Sequence, residues 1–117
     1  MIMKHSMVMI VLFCTTVLSG SAVVIVGCGY VGLTFAAVLA GVDHTITCVD
    51  TDAHKIQSLK NYQLPLYEPG LHELLFDGAK KNRITFTNSF DHIQHAHIYY
   101  VCVPTPVDAQ GGCDSSY

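Results

Sequence analysis

The chain has no tryptophan and few charges: Lys and Arg total six, Asp and Glu nine, and charged residues make up 13% of 117. So small a basic share leaves no electrostatic footprint for nucleic acid, and the net charge of −3 points the same way. Internal repeats and low-complexity tracts are absent. With half of the residues hydrophobic, disordered and fibrous classes fall away as well. No Cys-x-x-Cys pair occurs among the five cysteines (Cys14, Cys28, Cys48, Cys102 and Cys113), and their odd number speaks against a disulfide framework. Most of them sit in apolar runs, as buried thiols in a reducing compartment do. One hundred and seventeen residues make one small domain or a piece of a larger one.

Residues 1–21 form an apolar leader. Lys4 is its one fixed cation, Met7–Leu18 is almost wholly apolar, and Ser19-Gly20-Ser21-Ala22 supplies small residues. That is the outline of a secretory signal. A stable membrane span needs about 20 apolar residues, which this run reaches only by borrowing Ala22–Val26, a segment that reads as a strand. An N-terminal extension ahead of a cytoplasmic domain is the preferred reading, and export the minor one.

From Ala22 onward, short β-rich runs alternate with helix-length stretches. Ala22–Val26 is apolar at every position, as a strand covered on both faces should be. Tyr30–Ala40 reads as a helix that Gly41 ends. Thr45–Val49 is a second strand, and Asp52 is placed to cap a short helix with Ala53, Ile56 and Leu59 on one face. After a loop over Asn61–Glu68, Pro69 opens a further helix whose core stripe is Leu71, Leu74 and Leu75. Ile84–Thr87 and His97–Val103 are the third and fourth strands, with at most a short helix over Ser89–Ala96 between them. This order predicts βαβ units and a parallel α/β sheet in spatial order 3-2-1-4, with a right-handed crossover and flanking helices. Sheets of this type usually have more than four strands, so the fold is expected to be incomplete: the front end of a domain.

The motif that carries chemistry is Gly27-Cys28-Gly29-Tyr30-Val31-Gly32, a G-x-G-x-x-G. Glycine triplets alone are common, but this one follows an apolar strand, opens a helix and precedes a second strand ending in Asp50. Those are the context tests of a Rossmann dinucleotide-binding turn. Gly27 permits the tight turn, Gly29 lets a pyrophosphate approach the backbone, and Gly32 lets the helix pack closely on the strand. Ala36 and Ala40 continue that small face. The helix N-terminus adds free N–H groups and a partial positive charge for the anion. Asp50 stands where its carboxylate would accept the hydroxyls of an adenosine ribose, and its charge would repel a 2′-phosphate. Two unit charges about 4 Å apart cost roughly 1 to 4 kcal/mol near a protein surface. The cofactor expected is therefore NAD rather than NADP. A helix-capping acid is the other reading of Asp50.

Gly27–Leu33 (GCGYVGL), Cys48–Asp50 (CVD), Leu64–Leu71 (LPLYEPGL) and Val103–Pro106 (VPTP), followed by Gly-Gly-x-Asp, resemble the UDP-glucose/GDP-mannose dehydrogenase family. The match in order and spacing runs from about Ala22 to the end of the chain. Tyr67-Glu68-Pro69-Gly70-Leu71 is more specific than the glycine fingerprint, because generic dinucleotide folds do not carry it. The resemblance implies a partial NAD-binding Rossmann domain over residues 22–117. It also implies an enzyme that oxidises the C6 alcohol of a nucleotide sugar, as in UDP-glucose to UDP-glucuronate, to a carboxylate with two NAD per turnover.

Carried over by residue, it places Gly27, Gly29, Tyr30, Val31 and Gly32 around the pyrophosphate and Asp50 on the adenosine ribose. Lys55 borders the adenosine end, and Val103 with Thr105 lies beside the cofactor. Lys55 reads equally as a solvated helix lysine, and Thr105 as a turn residue between prolines. The partners implied are a nucleotide sugar, met through a substrate domain outside this chain, and further copies in a homo-oligomer.

No catalytic residue is assigned. The family's cysteine nucleophile and its supporting lysine, asparagine and acid come from later segments, and none of the five cysteines stands in one. His92, His95 and His97 cluster, yet without an acid or thiol at ligand spacing they read as a solvated junction rather than a metal site. Tyr67 and Glu68 either line the cofactor crevice or serve as loop anchor and helix-start acid. Tyr99 and Tyr100 point to opposite faces of a strand. Two other functions stay open. One is a standalone, non-catalytic dinucleotide-binding protein or the remnant of a decayed gene. The other is a β-hydroxyacid-type dehydrogenase, against which the YEPGL string argues.

Overall fold

A computed structural model describes residues 20–91, 93–106 and 109–112. The leader up to residue 19, with Cys14, lies outside the described residues, as do His92 and Cys113. Ala22–Val26 forms β1 inside the sheet, with Val23, Val24 and Ile25 buried. The chain continues as α1 (Tyr30–Gly41), β2 (Thr45–Val49), α2 (Ala53–Lys60), α3 (Leu71–Lys80), β3 (Ile84–Thr87) and β4 (Ile98–Val101). All three strand pairings are parallel, and the spatial order is β3-β2-β1-β4, as expected. β1 pairs with β2 from Ala22↔Thr45 to Val26↔Val49, and with β4 from Val23↔Ile98 to Val26↔Val101. The first three strands stand at their expected bounds.

α1 packs on β1 and β2 and runs beside α3, which covers β3. The helices meet through small residues. A Cβ at Gly78 of α3 would lie 3.2 Å from the Ala40 Cβ of α1 and 2.8 Å from the Ile84 Cδ1 of β3. Ala36 and Ala40 are both buried, as the small face of α1 requires.

Local expectations differ from what is observed at several points. β4 is shorter than His97–Val103 because its partner is short. His97 N–H donates to Ala22 O and Cys102 N–H to Val26 O, and beyond Val26 the chain turns away at Gly27. Gly41 is the last helical residue rather than the stop; the left-handed position falls on Asp43, at φ 69°. Pro69 lies outside α3, whose N-cap is Gly70 at φ 80°.

Leu74 is 60% exposed while Leu71, Leu75 and Phe76 are buried, so the inward face of α3 is the i, i+4 pair plus Phe76. Ala53 is likewise exposed, leaving Ile56 and Leu59 as the buried side of α2. Between β3 and β4 the described residues make turns instead of a short helix. There the Ser89 hydroxyl accepts the Asp91 N–H at 3.2 Å, a local bond that competes with a helical ladder.

Candidate functional site

The end of β1 runs straight into the glycine turn, and each glycine answers a different constraint. Gly27 has φ 103°, and a Cβ there would stand 2.5 Å from the Cys102 carbonyl oxygen. The turn is therefore pressed against the end of β4, beside Val103. Gly32 is the tightest point: a Cβ would lie 2.0 Å from the Gly27 carbonyl oxygen and 3.1 Å from the Ile25 Cγ2. That contact seats the first turn of α1 on β1.

Gly29 differs from both. A Cβ there would meet no heavy atom within 4 Å, so the backbone is approachable from outside, on the side where an anion would come. Gly29 is also the N-cap of α1, and no side chain hydrogen-bonds to that cap. The first turn holds no acid. Its N–H groups keep their donor capacity and the positive end of the helix dipole, which suits an anion. Tyr30 and Val31, the first two helical residues, are both more than half exposed beside the turn.

Asp50, just after β2, is tied to this turn directly. Its Oδ2 accepts the Cys28 N–H at 2.9 Å and the Lys55 ammonium at 3.3 Å, and its Oδ1 accepts the Asp52 N–H at 2.8 Å. Burial of the carboxyl pushes its pKa up. The Asp52 and Cys28 amides and the Lys55 ammonium outweigh that effect and hold it below the ordinary carboxylate range. The group is an anion positioned before any ligand arrives. The capping acid of α2 is Asp52, which accepts the Lys55 N–H at 3.1 Å, so the capping reading of Asp50 does not hold. Lys55, with its side chain 29% exposed, faces Asp50 rather than open solvent.

The remaining candidates lie further out. Val103 follows β4 beside Gly27, and Thr105 is exposed two residues on. Tyr67 and Glu68 sit in a groove of about 370 Å³ lined by their own loop and the start of α3, with no residue of the glycine turn. Tyr67 is 87% exposed, too open for a loop anchor, and it is the Glu68 carbonyl, not its carboxylate, that meets α3, by accepting the Leu71 N–H at 3.2 Å.

Among the described residues no group of His, Cys, Asp and Glu could hold a metal ion. His97 is used in the sheet: its Nδ1 accepts the Ala22 N–H at 3.0 Å. Tyr99 and Tyr100 do face opposite ways. Tyr99 donates its hydroxyl proton to Ile93 O, and the Tyr100 ring packs 5.3 Å from that of Phe35.

The described thiols of β2 and the glycine turn lie in the core. Cys28 and Cys48 are buried and free. The Cys48 thiol is held well above its ordinary pKa, first by its hydrogen bond with the Cys28 thiol and then by burial. That is the reverse of an activated cysteine. What sequence reasoning missed is the anchoring of Asp50. Two of its donors are the backbone amides of Cys28 and Asp52, and residue types carry no signal for them.

Comparison with known proteins agrees with this geometry. Residues 21–117 match the model of the UDP-glucose/GDP-mannose dehydrogenase family, NAD binding domain. UDP-glucose 6-dehydrogenase TuaD of Bacillus subtilis is 38% identical over 96 residues, which are 81% of this chain and 21% of that protein. The UDP-glucose 6-dehydrogenase of Pseudomonas aeruginosa is 35% identical over 94 residues, 80% of this chain and 21% of its own length. Among solved structures, GDP-mannose dehydrogenase from Pseudomonas aeruginosa matches with a TM-score of 0.74 at 32% identity, over 79% of this chain and 21% of that one. A UDP-glucose dehydrogenase from Pyrobaculum islandicum matches with a TM-score of 0.76 at 26% identity, over 81% and 22%. The chain thus spans about a fifth of the length of the curated relatives it matches. Among the described residues, no helix is long and apolar enough to cross a membrane. The glycine turn, the positioned acid after β2 and the family match converge: this chain belongs to the UDP-glucose/GDP-mannose dehydrogenase family and carries its NAD-binding domain.

Proposed function

We propose that residues 22–117 serve as the NAD half of a nucleotide-sugar 6-dehydrogenase of the UDP-glucose to UDP-glucuronate type. The observation that carries this reading is the hydrogen bond from Cys28 N–H to Asp50, which joins the glycine turn to the acid in one unit. Gly27, Gly29, Tyr30, Val31 and Gly32 hold the pyrophosphate at the start of α1. Asp50 and Lys55 take the adenosine ribose, and Val103 and Thr105 flank the nicotinamide side. NAD supplies the hydride acceptor, twice per sugar in an alcohol-to-carboxylate oxidation. The protein's part is to fix the cofactor and turn one face of it toward the alcohol carbon, and positioning of that kind supplies much of the rate. The thiol and acid–base groups, and the sugar site, belong to a substrate domain beyond these residues. Homo-oligomer formation and a cytoplasmic setting complete the reading, the latter supported by the free, buried thiols of Cys28 and Cys48.

Titration calorimetry with NAD tests the site. Gly29→Val places a branched side chain where the pyrophosphate approaches, in space that no other atom of the protein occupies. It should abolish NAD binding and leave the melting temperature unchanged. Retained binding would remove the glycine turn from the site. Assays of NADH formation with UDP-glucose, GDP-mannose and UDP-N-acetyl sugars test the reaction. The chain alone should give none, and the chain joined to a cysteine-bearing substrate domain should turn over one of them. Turnover by the short chain would show that one of its own cysteines is the nucleophile.

A further inference from the structure

The sheet gathers cysteines at its carboxyl end. Cys48 lies on the buried face of β2, in register with Ile25 of β1. Cys28 follows Ile25 by three residues, in the glycine turn, and its N–H donates to Asp50 Oδ2 at 2.9 Å, two residues past Cys48. Both side chains are fully buried in one core cluster with Leu33 and Ala36 of α1. Their thiols are hydrogen-bonded to each other. Cys102 stands on the other side of β1, where its N–H donates to Val26 O at 2.7 Å, and it is only half-buried. In the Cys28–Cys48 pair, one thiol belongs to a strand paired on both sides and the other to the turn that meets the cofactor. Neither sulfur takes part in holding NAD. Two thiols in contact can be joined by loss of two electrons and two protons.

We propose that Cys28 and Cys48 form an oxidisable pair: a hydroperoxide joins them in a disulfide, which distorts the glycine turn and lowers its affinity for NAD. The inference rests on the NAD reading above and adds a modification site to it. Cys28 reacts first, because opening of the turn uncovers its sulfur, whereas Cys48 is uncovered only when β2 leaves the sheet. The hydrogen bond with Cys28 and burial also keep the Cys48 thiol protonated, which does not suit a first attack. The Cys28 sulfur attacks one peroxide oxygen, the O–O bond breaks, and the departing oxygen takes the thiol proton to leave as water. Cys28 is then a sulfenic acid. The Cys48 sulfur attacks the Cys28 sulfur, the S–O bond breaks, and hydroxide leaves with the Cys48 proton as a second water. Two thiols and one hydrogen peroxide thus give one disulfide and two waters. Bonded sulfurs stand about 2.05 Å apart, closer than hydrogen-bonded thiols do. β2 is fixed by β1 and β3, so it is the turn that moves. That movement draws the Cys28 amide off Asp50, and loss of one hydrogen bond to a charged group should weaken NAD about tenfold. By reciprocity, bound NAD disfavours the disulfide by the same factor.

The experiment treats the full, reduced chain with hydrogen peroxide, in the presence and absence of saturating NAD. Chymotrypsin cuts after Tyr30 and Phe35, between the two cysteines, so mass spectrometry of the linked peptides identifies the bond. Cys28–Cys48 should be the main disulfide, and NAD present during the treatment should reduce its yield. Titration calorimetry should then show NAD binding about tenfold weaker, restored by dithiothreitol. Cys48→Ala should bind NAD as the reduced wild type does and show no loss that dithiothreitol reverses. If Cys48→Ala does not fold, the peptide map and the recovery with dithiothreitol in the wild type decide the question. Thiols left unjoined, a disulfide between other cysteines, unchanged NAD affinity after oxidation, or a reversible loss that persists in Cys48→Ala would overturn the inference and leave the NAD site standing. A folded, reduced wild type that binds no NAD would overturn the NAD reading, and this inference with it.

Discussion

On the β2 side of β1, β2 and β3 each carry buried residues and lie against α1, α2 or α3. On the other side, none of the four residues of β4 is buried, and Val101 is 70% exposed. Both flanks are apolar in sequence, so hydrophobicity does not separate them; covering does. The turn, its helix and the acid that anchors it all fall within residues 22–55, on the covered flank. β4 gives the site its backbone bonds to β1 and the Cys102 carbonyl against which Gly27 is pressed. Among the described residues, the buried core and the acid anchored to the glycine turn are thus concentrated on one flank.

Four measurements would break or sharpen that contrast. The largest effect should come from Gly32→Ala, because a Cβ 2.0 Å from a backbone oxygen forces α1 off β1. A loss on the order of 3 kcal/mol is expected, read as a lower midpoint in denaturant unfolding; a neutral result would mean that the helix seat is not tight. Leu75→Ala, at a fully buried position of α3, should cost about 2 to 4 kcal/mol by leaving a cavity. A cost below about 1 kcal/mol would show the covered flank to be loosely packed.

Acid comes next. The Asp50 pKa is lowered in the folded chain, so the carboxylate contributes stability that is present in full well above the unfolded value of about 3.9. That contribution fades as the pH falls through the lower folded value. Melting curves between pH 6 and pH 2 should fall less steeply for Asp50→Asn than for the wild type, and parallel curves would refute the role given to the two amides and Lys55. Smallest of all, Val101→Lys on the open flank should change stability by no more than about 0.5 kcal/mol. It should reduce self-association in sedimentation runs, since a charge on an uncovered edge discourages strand pairing. A large destabilisation there would mean that β4 is covered after all.

The sequence was legible where neighbours along the chain set the structure. An unbroken apolar run marked β1, β-rich residues marked β2, alternation of apolar and polar residues marked β3, and the glycine turn with Asp50 followed from spacing alone. It was less legible where a partner set the outcome. The length of β4 is decided by the five residues of β1, and nothing in His97–Val103 reveals that. Leu74 repeats correctly with Leu71, but which side of α3 faces inward depends on where α1 and β3 lie. Pro69 and Gly41 carried true signals of a helix boundary, and Gly70 and Asp43 took the left-handed positions instead. Within the site, residue types pointed to Asp50 and Lys55, whereas the amides that position them were invisible.

The hydrogen bonds at the start of β1 have a practical use. Ser21 O accepts the Thr45 N–H at 3.0 Å, and the Ala22 N–H is held by His97, so the chain enters the sheet at a fastened point. At about 3.3 Å per strand residue, the four steps from Ala22 to Val26 put roughly 13 Å between that entry and the glycine turn. A protein begun at Gly20 and immobilised by its first residue would present the cofactor face outward. Surface-based binding measurements would then sample the site without steric interference from the tether.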